Sequence, residues 1–133
     1  EMIGLHLLTL WRQQLECPTE PTVHHMAPRH VLRAEQHIRD HAQEAPTLSE
    51  LARSSGVSVR TLSAAFREYR HCTPMQALRE ARLQGVRAEL LIALPGTRVR
   101  DVAAAWGYAN FGLFAASYRR RFGESPSETL GHR

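Results

Sequence analysis

The chain has 133 residues, 43% of them hydrophobic, enough for one compact domain plus an appendage. It has no signal-peptide pattern and no apolar run near the roughly 18–20 residues a membrane-spanning helix needs. Net charge is +4 at pH 7, and every basic residue is Arg. Residues 1–27 set Arg12 against Glu1, Glu16 and Glu20, for −2, and the remainder sets 16 Arg against 10 acids, for +6. This asymmetry points to an anionic partner for the larger part, nucleic acid first and an acidic membrane surface second, against the alternative of a merely solvated surface. The two cysteines, Cys17 and Cys72, lack metal-type spacing and are expected as reduced thiols in a cytoplasmic protein.

Residues 2–16 are apolar and helix-prone. Ile3, Leu7, Leu10 and Trp11 share one face, so this helix needs a partner surface: the rest of this domain, a second copy, or an upstream domain. Its polar face lacks the basic cluster of a membrane-surface helix. Residues 17–28 hold three prolines without apolar periodicity and read as a linker. His24, His25 and His30 lack a Cys or carboxylate partner, and the pair His37 and His41 lacks a third ligand, so no metal site is expected.

A first helix is predicted from Arg29 to Gln43, burying Val31, Ala34 and Ile38. Thr47-Leu48-Ser49-Glu50 is a capping box that starts a short helix ending at Gly56. Ser58 caps the next helix, whose inner face is Leu62, Ala65, Phe66 and Tyr69. Helix, glycine turn, helix is the helix-turn-helix unit. A long helix then runs from Thr73 to Leu94, opened by Thr73-Pro74-Met75-Gln76 and stopped by Pro95-Gly96. About twenty residues at ~1.5 Å each span roughly 30 Å, close to the roughly 34 Å of one B-DNA turn. It is amphipathic on two sides, with Leu83, Val86 and Leu90 on one and Leu78, Ala81, Ala88 and Ile92 on the other. Gly85, at its middle, costs about 1 kcal/mol against Ala and marks either a close helix crossing or a bend.

Beyond this spacer the pattern returns. Leu51-Ala52, Gly56, Phe66 and Thr73-Pro74 are answered by Val102-Ala103, Gly107, Tyr118 and Ser125-Pro126, offset by 51 residues and then 52. A duplicated unit of about thirty residues suits a doubled binding module, since two copies are too few for a solenoid. The expected architecture is all-α: two helix-turn-helix units over residues 29–72 and 97–131, joined by the helix over 73–94.

No nucleophile elbow, P-loop, metalloprotease motif or carboxylate cluster is present, so no catalytic residue, cofactor or metal is expected. The chemistry lies on the outer faces of the second helix of each unit. In the first, Arg60, Ser63 and Ala64 are the candidate base contacts. Arg60 is suited to bidentate pairing with guanine, and Ser58 and Arg67 are the candidate phosphate contacts. In the second, Asn110 can pair with adenine or bind phosphate, Leu113 and Ala116 can meet a thymine methyl, and Arg119 and Arg120 can bind phosphate. Arg121 is expected at the rim, because three consecutive arginines fan around a helix. The alternative function is an all-α protein-interaction module that meets acidic partners through its Arg-rich surface.

The run LSELARSSGVSVRTLSAAFREY, the pattern Pro74, Leu78, Arg79, Arg82, Leu83, and above all VRDVAAAWGYANFGLFAASYRRRFGESPSETL resemble the C-terminal DNA-binding domain of the AraC/XylS family of bacterial transcription regulators. The FGESPSETL ending is similar to the XylS-type branch. The resemblance covers about residues 29–131 and implies a seven-helix domain inserting two recognition helices, about 58–70 and 110–122, into consecutive major grooves of double-stranded DNA. It also implies RNA polymerase as a partner of an activator, and a small-molecule effector acting only through an N-terminal domain not included in this sequence, of which residues 1–16 are expected to be the end. Many members carry a long polar residue at the positions of Ala64, Leu113 or Ala116. Their short or apolar character here shifts the expected base specificity to Arg60.

Overall fold

The computed structural model describes residues 26–131. The expected helix over 2–16, most of the linker over 17–28, Cys17, His24 and His25 lie outside the described residues. Within them the chain forms seven α-helices and no strand: α1 (Arg29–His41), α2 (Leu48–Ser55), α3 (Val59–Arg70), α4 (Pro74–Leu91), α5 (Val99–Ala105), α6 (Phe111–Phe122) and α7 (Pro126–Gly131). These gather into two compact units. The first holds the described residues through His41 together with Pro46–Glu80, and the second holds Ala42–Ala45 and the chain from Ala81 onward. Helix α4 supplies its first seven residues to one unit and the rest to the other.

In the first unit, α1 packs against α2 and α3. Val31, Ala34 and Ile38 from α1 meet a core that includes Leu51, Ala52, Leu62 and Phe66, all buried. Each fully buried large apolar side chain contributes about 1.5–3 kcal/mol. Tyr69, expected on the inner face of α3, is only half-buried. Local signals set the helix ends. Thr47 and Glu50 complete a capping box, with each side chain accepting the other's backbone N–H at 3.1 Å. An ion pair crosses the unit: Arg70 donates Nε and Nη2 to the Glu35 carboxylate at 2.7 and 3.1 Å. The Glu35 hydrogen bond raises the Arg70 pKa further above its ordinary value, against the opposing effect of burial. Such a fork is among the stronger charged hydrogen bonds. Cys72 is buried.

In the second unit, α7 packs against α5 and α6, and α5 against α6. The core joins Leu83, Val86 and Leu90 of α4 to Val102, Ala103, Trp106, Phe114 and Tyr118. Arg82 is buried within it, 9% exposed. Its Nη1 donates to the carbonyls of Ala42 and Gln43 and its Nη2 to the carbonyl of Trp106, while the guanidinium lies 4.9 Å from the Tyr108 ring centre. These bonds explain why α1 ends at His41 rather than Gln43. The chain tightens into a 3-10 turn at Ala42–Glu44, and the freed carbonyls turn to Arg82. Gln43 adds Nε2 to the Ala105 carbonyl at 2.9 Å.

Helix α4 also stops short of the expected Leu94, at Leu91. Proline at 95 disfavours helical geometry at the residue before it, and Ile92 and Leu94 are 81% and 77% exposed, so no packing holds the last turn. The expected second apolar side therefore holds only in part. Leu78 is buried and Ala81 half-buried, whereas Ala88 and Ile92 face solvent. Gly85 marks a close crossing: an added Cβ would stand 2.0 Å from Cη2 of Trp106.

Candidate nucleic-acid interface

Each unit builds its exposed helix in the same way. In the first, Gly56 ends α2 at φ 76, a left-handed conformation that glycine adopts without Cβ strain, and the chain turns into α3. Ser58 caps α3 by accepting the Thr61 N–H at 3.1 Å. Leu62, Ala65 and Phe66 face inward, which leaves Arg60, Ala64 and Arg67 exposed along one stripe at helical spacing, with Ser63 half-buried beside them. Arg60 and Ala64 also line a shallow groove of about 470 Å³ with Pro28, His30, Glu68 and Tyr69. Periodicity is silent on the start of α1 lying beside this face, because nothing in a local pattern connects His30 to a helix thirty residues away.

In the second unit, Gly107 takes φ 80 in the place of Gly56. Asn110 caps α6, its Oδ1 accepting the Leu113 N–H at 3.0 Å. Asn110 and Ser58 therefore hold equivalent posts, and each commits its side-chain oxygen to the cap. Bidentate recognition of adenine needs both the oxygen and the amide nitrogen of an Asn, so Nδ2 is the part of Asn110 left for a ligand. Phe114 and Tyr118 are buried, while Gly112, Leu113, Ala116, Arg119 and Arg120 are exposed, Leu113 by 68%. The middle of this face is apolar and cations mark its C-terminal end. Arg121 is half-buried with its guanidinium 5.0 Å from the Phe122 ring centre, as the fan of three arginines requires.

Below α6 the aromatic rings pack in series, with Tyr108 against Phe114 at 4.6 Å, Phe114 against Tyr118 at 5.9 Å and Tyr118 against Phe122 at 4.6 Å. The buried Tyr118 hydroxyl donates to Thr129 Oγ1 at 2.7 Å, and Thr129 in turn donates to Glu124. Burial pushes the Tyr118 pKa up, and the Thr129 hydrogen bond opposes it. This network fixes α7 beneath α6. Among the described residues no group of three or more His, Cys, Asp or Glu could hold a metal ion; His37 and His41 stack on each other at 4.4 Å. No helix among them is long and apolar enough to cross a membrane.

Two helix-turn-helix units, each with a capped second helix that buries one stripe and presents the other, define the DNA-binding domain of a transcription regulator. Residues 51–132 match the model of a helix-turn-helix domain family. The chain is 41% identical over 98 residues to a probable thc operon regulatory protein of Rhodococcus erythropolis, covering 73% of this chain and 30% of that protein. It is 36% identical over 101 residues to XylDLEGF operon transcriptional activator 2 of Pseudomonas putida, covering 74% and 63%. The fold is similar to that of a probable AraC family transcriptional regulator from Rhodopseudomonas palustris, with a TM-score of 0.72 and 33% identity over 79% of this chain and 97% of that one. The chain belongs to the AraC family of transcription regulators. It spans under a third of the first relative's length. The alternative of a protein-interaction module finds no support in these matches.

Proposed function

We propose that the chain reads double-stranded DNA by inserting α3 and α6 into consecutive major grooves, with base specificity carried mainly by α3. The observation that supports this reading is the contrast between the two exposed faces. The face of α3 offers Arg60, Ser63, Ala64 and Arg67, whereas the middle of the α6 face offers only Gly112, Leu113 and Ala116. Arg60 makes the bidentate guanine contact, with Ser63 and Ala64 against neighbouring bases. Ser58 and Arg67 bind phosphate. On α6, Leu113 and Ala116 meet thymine methyls, Asn110 uses its free Nδ2, and Arg119 and Arg120 hold the backbone.

The role is binding rather than catalysis, at a promoter in the bacterial cytoplasm. The whole protein acts as an activator that meets RNA polymerase and takes a small-molecule effector through a domain upstream of this one. Names of relatives such as the XylDLEGF activators support activation. Selection of bound duplexes from a random pool tests the division of labour. Arg60→Ala should relax the preference at one base pair, a loss of about 1–3 kcal/mol of discrimination. Arg120→Ala should weaken all duplexes alike and flatten the salt dependence. An unchanged preference in Arg60→Ala would sink the proposal.

A further inference from the structure

The α6 face has cations at its C-terminal end and none along its own first two turns. One cation is brought to its N-terminal end from another helix. Arg100, exposed on the first turn of α5, places its guanidinium 5.0 Å from the ring centre of Phe111, the first residue of α6. Phe111 is itself half-buried and backed by Phe114, whose ring centre is 6.0 Å away. The stack therefore ties an otherwise flexible guanidinium to the start of the recognition helix. In a helix-turn-helix unit the first helix crosses the phosphate backbone while the second enters the groove. A guanidinium is planar, permanently charged and able to stack on an aromatic face while its N–H edge stays free for phosphate.

We propose that Arg100 is a phosphate-binding residue of the second unit, positioned by the Phe111 ring, and that with Arg119 and Arg120 it brackets the apolar middle of α6 between two backbone contacts. The proposal rests on the reading of α6 as a recognition helix. It assigns to Phe111 a task beyond packing, and it explains how a face so poor in hydrogen-bonding groups can still be held in register on DNA.

The test is a salt titration of binding by fluorescence anisotropy, using the 133-residue chain, a duplex selected from a random pool by the wild type, and a scrambled duplex. Each phosphate contact contributes about −0.9 to the slope of log K against log salt. Arg100→Gln should lose about one such increment on both duplexes, with its base preference unchanged. Phe111→Leu, checked for folding by circular dichroism, should lose part of the same increment and add little to Arg100→Gln. Arg98→Gln removes another exposed charge two residues away, for which no ring contact is found among the described residues. It should change the slope much less. An unchanged slope in Arg100→Gln, an equal change in Arg98→Gln, an unchanged slope in Phe111→Leu or an altered base preference would each overturn the proposal. Arg120→Ala in the same titration separates the two levels: if it too leaves the slope intact, α6 is not at the DNA and the underlying reading fails with it.

Discussion

Gly85→Ala sets helix propensity against packing, and the structure decides between them. In an exposed helix interior the substitution would stabilise by about 1 kcal/mol. Here the new methyl would stand 2.0, 2.6 and 2.8 Å from Cη2, Cζ2 and Cζ3 of Trp106, where ordinary carbon contacts lie at roughly 3.5–4.0 Å. The ring has little freedom to retreat. Trp106 is 8% exposed, its Nε1 donates to Glu89 Oε1 at 2.9 Å, and its carbonyl accepts from Arg82. Overpacking costs about 1–3 kcal/mol, and a clash with three atoms of a pinned ring belongs at the upper end, for a net loss of about 2 kcal/mol. Urea denaturation followed by far-UV circular dichroism should show it as a lower midpoint at unchanged slope. Trp106→Leu removes the obstructing ring, so in that background Gly85→Ala should turn stabilising by a few tenths to about 1 kcal/mol, a reversal that a double-mutant cycle reads directly. If Gly85→Ala raised the midpoint in the otherwise wild-type chain, the close crossing would be wrong.

Three further outcomes follow from the same geometry. Arg82→Met should destabilise by about 3 kcal/mol in the same urea assay, because it strips the donors from the buried carbonyls of Ala42 and Trp106. Ser58→Ala should cost about 1 kcal/mol through loss of the α3 cap, and Ser58→Asp should restore it. The raised Tyr118 pKa means that the folded state holds that proton more tightly than the unfolded state does. Its contribution is therefore complete below the unfolded value of about 10 and is lost as pH rises through the folded value. Tyr118→Phe should flatten the alkaline fall in urea midpoint; an equally steep fall would refute the linkage.

The units were legible because their punctuation is chemical. Thr47 with Glu50, Ser58, and Thr73 with Gln76 are side chains that satisfy orphan N–H groups, and each starts the helix the sequence predicts. The repeat was legible for a related reason: Gly56 and Gly107 must both take positive φ, and Phe66 and Tyr118 are both fully buried, so the fold constrains equivalent positions alike. What escaped were contacts between distant segments. Arg82 reads as one more charge on a basic helix, and only the carbonyls of Ala42, Gln43 and Trp106 reveal it as an internal brace.

The candidate interface divides along that line too. A stripe such as Arg60, Ala64 and Arg67 follows from the helical period once the buried stripe is known, although the approach of His30 to it does not. The second unit's face does not lie within one helix. Its middle is apolar, and the cation at its head belongs to α5, two helical turns and a glycine bend earlier in the chain. Periodicity ranks residues along one helix and is blind to a side chain lent by another. A poor face read from α6 alone thus becomes a bracketed one when Phe111 is seen to carry Arg100. On the proposed reading, the apolar centre is a methyl-reading strip whose register is set from its two ends.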